Sequence, residues 1–323
     1  MRSADFFANH PVFTHEEYLS ARGDRRDRSP RTADSLLIRH VAAGKILHVR
    51  RGLYAAVPAG AAPGKFQVDP FLLATKLAPD AAVAYHAALQ FWGKAYSVWH
   101  RFAVLTRSHF RSLSFQGSEF FGVHPRRAFD GRSDLGGGVV TEAHAGGTVR
   151  VTTFERTLVD VLDAPDLGGG WEEIWRSLEM VEYFDLAAVV ARTRELGSQL
   201  AAARVGFFLE QHREALFVED HHLKALREQA PRQPRYLDRR RESGRLVKPW
   251  NLVVPERVLN RTLNRYRRPR VTSTRNSFRC FGSMCAQRKA RWRRGPKPWC
   301  EKPARSWRRC SRSRSTSWNS SIG

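Results

Sequence analysis

Seven positions near the amino terminus carry residue types able to recognise nucleic acid: Arg31, Thr32, Ser35 and Arg39, then Arg50, Arg51 and Gly52. Guanidinium forks and hydroxyls are the donors that reach base edges and phosphate oxygens. A glycine beside two arginines permits a tight turn with cations at its tip. At 100° per residue, Arg31, Thr32, Ser35 and Arg39 gather on one helical arc. Ala33, Leu36, Leu37, His40 and Val41 gather on the opposite arc, with Ile38 at the border. The same residues also suit an ordinary solvated surface. Positions 1–58 hold ten basic and six acidic residues, so local charge by itself decides little.

The elements that must position these residues are legible. FTHEEY opens a helix: Thr14 is the N-cap, Glu17 completes a capping box, and Phe13 and Tyr18 sit at the hydrophobic-staple positions. Gly23 ends it, and Asp24 to Arg28 form a charged loop. Ser29-Pro30 starts a second helix, which Gly44 stops. In ILHVR, Leu47 and Val49 alternate with His48 and Arg50, as in a half-buried strand, and LYAAV pairs back across Arg51-Gly52. Helix, charged turn, helix and basic hairpin is the order of a winged helix-turn-helix. In that arrangement Arg31, Thr32, Ser35 and Arg39 face the major groove, Arg50 and Arg51 neutralise phosphates from the wing, and Tyr54 packs the wing on the helices.

AGAAPGK, residues 59–65, is a small-residue linker. Beyond it, helices are expected over Asp69–Ala78 and Tyr85–Phe91. Strands are expected over Phe102–Thr106, Ser118–Pro125 and, as a pair, Gly138–Thr153. Helices follow at Phe154–Pro165, WEEIWRSLEMV, LAAVVARTREL and AAARVGFFLEQHR, with a last strand in Lys248–Pro255. The expected fold class is α+β: an amino-terminal winged helix-turn-helix at 1–58, the linker, a mixed α+β domain at 66–262, and a tail at 263–323.

The tail differs in kind. It carries 18 Lys/Arg against one acid, Glu301, leaving 37 basic and 30 acidic residues for positions 1–262. It also holds Cys280, Cys285, Cys300 and Cys310, all the cysteines of the chain, and four of its nine tryptophans. Such a composition buries too little apolar surface to fold and suits a disordered basic tail. It suits still better a G-rich gene end translated out of frame. The cysteine gaps do not form paired CxxC knuckles.

Other chemistry is thin. Glu155, Arg156 and Asp160 share one short helix, where Asp160 can fix Arg156 one turn earlier. Asp220, His221 and His222 are adjacent without a second cluster at metal-ligand spacing. Gly168-Gly169-Gly170 lacks the lysine of a phosphate loop. No nucleophile elbow, HExxH or paired catalytic carboxylates occur, so no catalytic residue, metal or cofactor is assigned. Tyr96, Trp99, His100, Arg101, Arg107, His109 and Arg111 interleave aromatics with bases, as in a single-strand-binding surface or an ordinary strand flank. No apolar run approaches a membrane span and MRSADFF has no long apolar leader, so a cytoplasmic protein is expected.

Several stretches, from about residue 13 to 260, together resemble one family. GKILHVRRGLYAAVP, the Ala-Leu-x₃-Gly of AALQFWG, TTFERTLVDVLDAPDLGGG, RVGFFLE and Trp250-Asn251-Leu252 are similar to AbiEi-type antitoxins of type IV toxin–antitoxin, abortive-infection systems. The resemblance implies a winged helix-turn-helix repressor that binds inverted repeats of double-stranded operator DNA, with a second domain needed for antitoxin action. It implies a nucleotidyltransferase-like toxin as functional partner, opposed without necessarily being bound. It also implies a chain that finishes soon after Trp250-Asn251-Leu252. Two other classes stay open: an interaction protein that neutralises a toxin by direct binding, and a nucleic-acid-processing enzyme.

Overall fold

The computed structural model describes residues 3–22, 30–132 and 134–260. The described residues all fall within one compact unit, Met1–Arg270. The basic tail and its cysteines lie outside the described residues, as do the loop at 24–28 and the expected stop and cap at Gly23 and Ser29. The described fold is mixed α+β. No helix among the described residues is long and apolar enough to cross a membrane.

The first region runs α1 (Ser3–Asn9), β1 (Val12–Thr14), α2 (His15–Ala21), α3 (Pro30–Ala42), β2 (Ile46–Arg50) and β3 (Leu53–Ala56). Its three strands form an antiparallel sheet in the order β1-β3-β2. The expected capping box forms: Glu17 N donates to Thr14 Oγ1 at 3.2 Å, and Thr14 N donates to Glu17 Oε2 at 2.8 Å. The staple rings of Phe13 and Tyr18 lie 6.1 Å apart. At the end of α3, Gly44 takes φ +66°. Gly44 N donates to Val41 O and Lys45 N to His40 O, a Schellman closure that only a residue tolerant of the left-handed region makes cheaply. Phe6, Phe13, Tyr18, Ala33, Leu37, Ile46 and Ala56 form this region's own core.

The second region contains α4 (Pro70–Thr75), β4 (Ala82–Val83), α5 (His86–Phe91), β5 (Arg101–Leu105), β6 (Leu113–Phe115), β7 (Ser118–Val123), β8 (Val139–His144) and β9 (Gly147–Thr152). There follow α6 (Phe154–Asp163), α7 (Trp171–Glu179), α8 (Leu186–Leu196), α9 (Gln199–Gln211), α10 (Asp220–Arg227), β10 (Arg235–Tyr236), β11 (Gly244–Val247) and β12 (Leu252–Pro255). A six-stranded sheet has the order β6-β7-β5-β4-β9-β8, parallel at β5–β7 and β4–β9 and antiparallel elsewhere. Strand alternation splits its side chains between two cores. Ala103 and Leu105 face the helical layer containing α6 to α9. Phe102, Val104, Phe120, Val149 and Val151 face α4 and the amino-terminal sheet.

That second core crosses the 59–65 linker. Val12, Leu53 and Ala55 are buried with Leu72, Leu73 and Val104, and Leu47 and Val49 pack against the same cluster. The amino-terminal sheet is therefore covered on both sides, by its own helices and by the second region. Both regions fall within one compact unit.

Glycine explains one close approach in the helical layer. A Cβ on Gly206 of α9 would lie 2.1 Å from the ring of Trp250, which is fully buried. Trp250 Nε1 donates to Glu210 Oε2 at 2.7 Å. RVGFFLE and the Trp-Asn-Leu stretch are thus two halves of one packing contact.

Candidate nucleic-acid interface

Of the expected apolar arc of α3, Ala33 and Leu37 are buried and Leu36 and His40 partly so, whereas Val41, in the last turn, is exposed. Its other side presents Asp34, Ser35, Ile38, Arg39 and Ala42 to solvent. The Arg39 side chain has no hydrogen-bond or ion-pair partner among the described residues. Asp34 accepts a 2.7 Å contact from His15 Nε2, which ties the outer face of α3 to the start of α2. Arg31 and Thr32 belong to α3, but their side chains lie outside the described residues.

Ile38 was the residue sequence periodicity left at the border. It is 69 % exposed, the most exposed large apolar side chain of the amino-terminal region. The signal was present, because isoleucine at the edge of an apolar arc needs only a small rotation of the helix to face outward.

The hairpin separates its two arginines. Arg51 stands exposed at the turn, without a partner among the described residues. Gly52 follows at φ +75° with open space around it, so conformation, not crowding, requires glycine there. Gly52 O accepts from His15 N at 2.8 Å, anchoring the turn to α2.

Arg50 is placed differently from its expected position on the wing. Strand pairing shifts register between His48 and Arg50, a bulge at Val49. His48 pairs with Tyr54, whereas Arg50 pairs with Leu53, whose side chain lies in the core shared with the second region. The bulge thus turns Arg50 away from the His48 side. Arg50 Nη2 donates to Leu77 O at 2.5 Å, and the guanidinium stacks 5.7 Å from the Phe110 ring centroid. Partial burial pushes its pKa down from the usual arginine value. Nearby, Lys76 pairs with Glu17, so two cations stitch the regions together. Tyr54 packs as expected, its ring stacked 5.8 Å from that of Phe13.

Elsewhere, charged residues singled out from the sequence are committed to structure. Arg156 Nε donates to Asp160 Oδ2 at 3.0 Å, the expected one-turn pair. Arg156 also donates to Leu135 O at 3.0 Å and to Gly137 O, while Arg192 Nη1 donates to Gly136 O at 2.5 Å. Both guanidinia clamp the glycine-rich loop 135–138. Arg204 donates to Leu237 O, Leu162 O and Asp163 O, satisfying carbonyls at the end of α6.

The interleaved aromatic and basic set disperses. Trp99 stacks on His86 at 4.2 Å, Arg107 holds Phe129 O, Arg101 covers Phe121, and Tyr96 meets Arg176. His222 Nδ1 accepts from Glu219 N at the start of α10, and His221 lies 3.2 Å from Glu219.

No protein-family model matches the chain, and no curated protein matches it. Among solved structures, the crystal structure of the RV2827C protein from Mycobacterium tuberculosis is similar to it, with a TM-score of 0.48 and 18% sequence identity over 81% of this chain and 94% of that one.

Proposed function

We propose that this protein is a sequence-specific DNA-binding repressor, serving as the antitoxin of a type IV toxin–antitoxin operon. The observation that carries the DNA-binding part is the element order α1-β1-α2-α3-β2-β3 with sheet order β1-β3-β2. That order supports the winged helix-turn-helix reading, in which the helix before the hairpin enters the major groove. Here that helix is α3, and its outer face carries Ser35, Ile38 and Arg39 unburied.

In this reading Arg39 donates to a base edge, Ile38 meets a thymine methyl, and Ser35 with Arg31 and Thr32 completes the face. Arg51 contacts phosphate from the turn that Gly52 allows. Arg50 contributes by holding the hairpin at a fixed angle to the second region. The antitoxin role and the nucleotidyltransferase-like toxin, which the antitoxin opposes without necessarily binding it, rest on the sequence resemblance alone.

The test is binding of the full chain to the DNA upstream of its own gene, against random DNA, at two salt concentrations. Promoter-selective binding lost in Arg39→Ala supports the reading. Equal binding to both DNAs, unchanged by that substitution, refutes it and leaves only the basic tail as a non-specific contact.

One observation favours direct toxin binding as a second reading. Tyr96, Val98, Met180 and Tyr183 are exposed where the 94–98 loop meets the end of α7, with Lys94 Nζ donating to Met180 O at 3.5 Å. Co-purification of a stable one-to-one complex, lost in Val98→Asp, would establish that surface as the functional one.

A further inference from the structure

Between α1, the end of α3, the end of β3 and the start of α4 lies a groove of about 760 Å³. This is the size of a drug-like ligand site, and such sites concentrate where two modules meet. Its walls are apolar: Phe7, Pro11 and Val57 on one side, Phe66, Val68 and Leu72 on the other.

The polar groups on the groove are unequal. Asp69 is already spent: it caps α4 by accepting from Phe71 N and Leu72 N, both at 2.9 Å, and it accepts from His144 Nε2 at 2.8 Å. Gln67 is neutral and exposed. Two groups remain. His40 Nε2 is buried with no hydrogen-bond partner. Lys45 has no ion-pair partner among the described residues. The Schellman closure, Lys45 N to His40 O at 3.0 Å, sets these two residues side by side. A buried unpaired nitrogen is costly unless something reaches it. An uncompensated ammonium next to it selects for negative charge.

We propose that this groove binds a small organic monoanion with an apolar body, such as a medium-chain or aromatic carboxylate. The body lies along Phe7, Val57, Phe66 and Leu72, and the carboxylate meets the exposed Lys45 ammonium, with the buried His40 Nε2 behind it. A cationic amphiphile of the same length is disfavoured, because both Asp69 oxygens already accept hydrogen bonds, from Phe71 N, Leu72 N and His144, and the Lys45 ammonium repels it. The proposal stands on the groove itself and does not depend on DNA binding.

The experiment titrates the full chain with 1-anilinonaphthalene-8-sulfonate, an apolar anion that fluoresces on burial, and then displaces it. Expected is a saturable rise at one site per chain, reversed by decanoate below its micelle concentration but not by acetate or decyltrimethylammonium. Lys45→Glu should weaken decanoate about tenfold. Ala8→Trp, an exposed position of α1 facing the groove, should abolish the signal by filling it. Both residues are surface-exposed, so both variants should keep the parent's cooperative melting. Unsaturable dye binding, equal displacement by decanoate and decyltrimethylammonium, or unchanged binding in folded Ala8→Trp would overturn the proposal.

Discussion

Three buried arginines of the second region and two exposed arginines of the first are used in opposite ways. In the second region Arg156, Arg192 and Arg204 are buried, at 3 %, 8 % and 4 % exposure, and their donors meet carbonyls and Asp160. Burial pushes the Arg204 guanidinium down to about 10 and lowers Arg192 as well. In the first region Arg39 and Arg51 stand in water without partners among the described residues. A guanidinium taken from water spends most of its donors on the protein, with Arg192 Nε the exception that finds no partner among the described residues, whereas one left in water keeps them for a ligand. Arg50 lies between these cases: partly buried, with one carbonyl and one aromatic face. Counting arginines therefore says little about nucleic-acid binding, and asking which of them have already spent their donors says more.

The contrast breaks most visibly at the buried end. Arg156→Ala strips Leu135 O and Gly137 O of their guanidinium donor and leaves buried Asp160 with only Arg192, at 3.7 Å, as ion-pair partner among the described residues, and should cost about 3–5 kcal/mol of stability. Chemical denaturation measures this, and a loss below about 1 kcal/mol would mean the loop does not need its clamp. Arg39→Ala should do the reverse: cost roughly 1–3 kcal/mol of operator affinity, with local loss of base preference, and leave the denaturation midpoint nearly unchanged. A selection on randomised operators reads the preference.

Arg50→Ala and Arg51→Ala are adjacent and should separate. Arg50→Ala should lower stability by about 1 kcal/mol through its lost carbonyl contact. Arg51→Ala should weaken binding on all sequences alike and reduce the slope of log affinity against log salt by about one. Identical behaviour of the two variants would remove the bulge from the explanation.

The smallest expected effect concerns acid. Burial alone raises the Glu173 carboxyl, but hydrogen bonds from His86 and from the hydroxyl and amide of Ser97 outweigh it and hold the group below its ordinary 4.5. A carboxyl depressed in the folded state contributes stability above its unfolded value and loses it as pH falls through the folded one. Stability should therefore decline on acidification below about pH 4.5, less steeply in Glu173→Gln than in the parent. Parallel pH profiles for the two proteins would contradict this.

Much of the local structure was legible. Thr14 and Glu17 announce the start of α2, Gly44 the end of α3, and the period-2 runs at 139–152 the β8–β9 hairpin, because each signal lies within a few residues of what it determines. The Arg156–Asp160 pair was legible for the same reason, being one helical turn apart. Missing from the sequence reading were α1, β1, β6, α10, β10, β11 and the two-residue central strand β4. Ala82 and Val83 carry no distinctive pattern, and their pairing partners lie at Val104, Leu105 and Val151. The partners of Arg204 were equally hidden, since they lie more than thirty residues away in either direction.

The candidate interface divides along the same line. The sequence by itself determined that α3 has one face to bury and one to expose, since helical period and side-chain hydrophobicity are local properties. It also determined that a glycine turn carries Arg51 outward. Only the tertiary structure decided that Leu47 and Val49 serve the second region's core rather than that of their own helices. It also decided that a one-residue bulge at Val49 turns Arg50 from solvent to the carbonyl of Leu77. The reason is geometric: strand alternation fixes which side chains share a face, but a single inserted residue reverses the assignment, and it forms where the apposed second region makes it favourable.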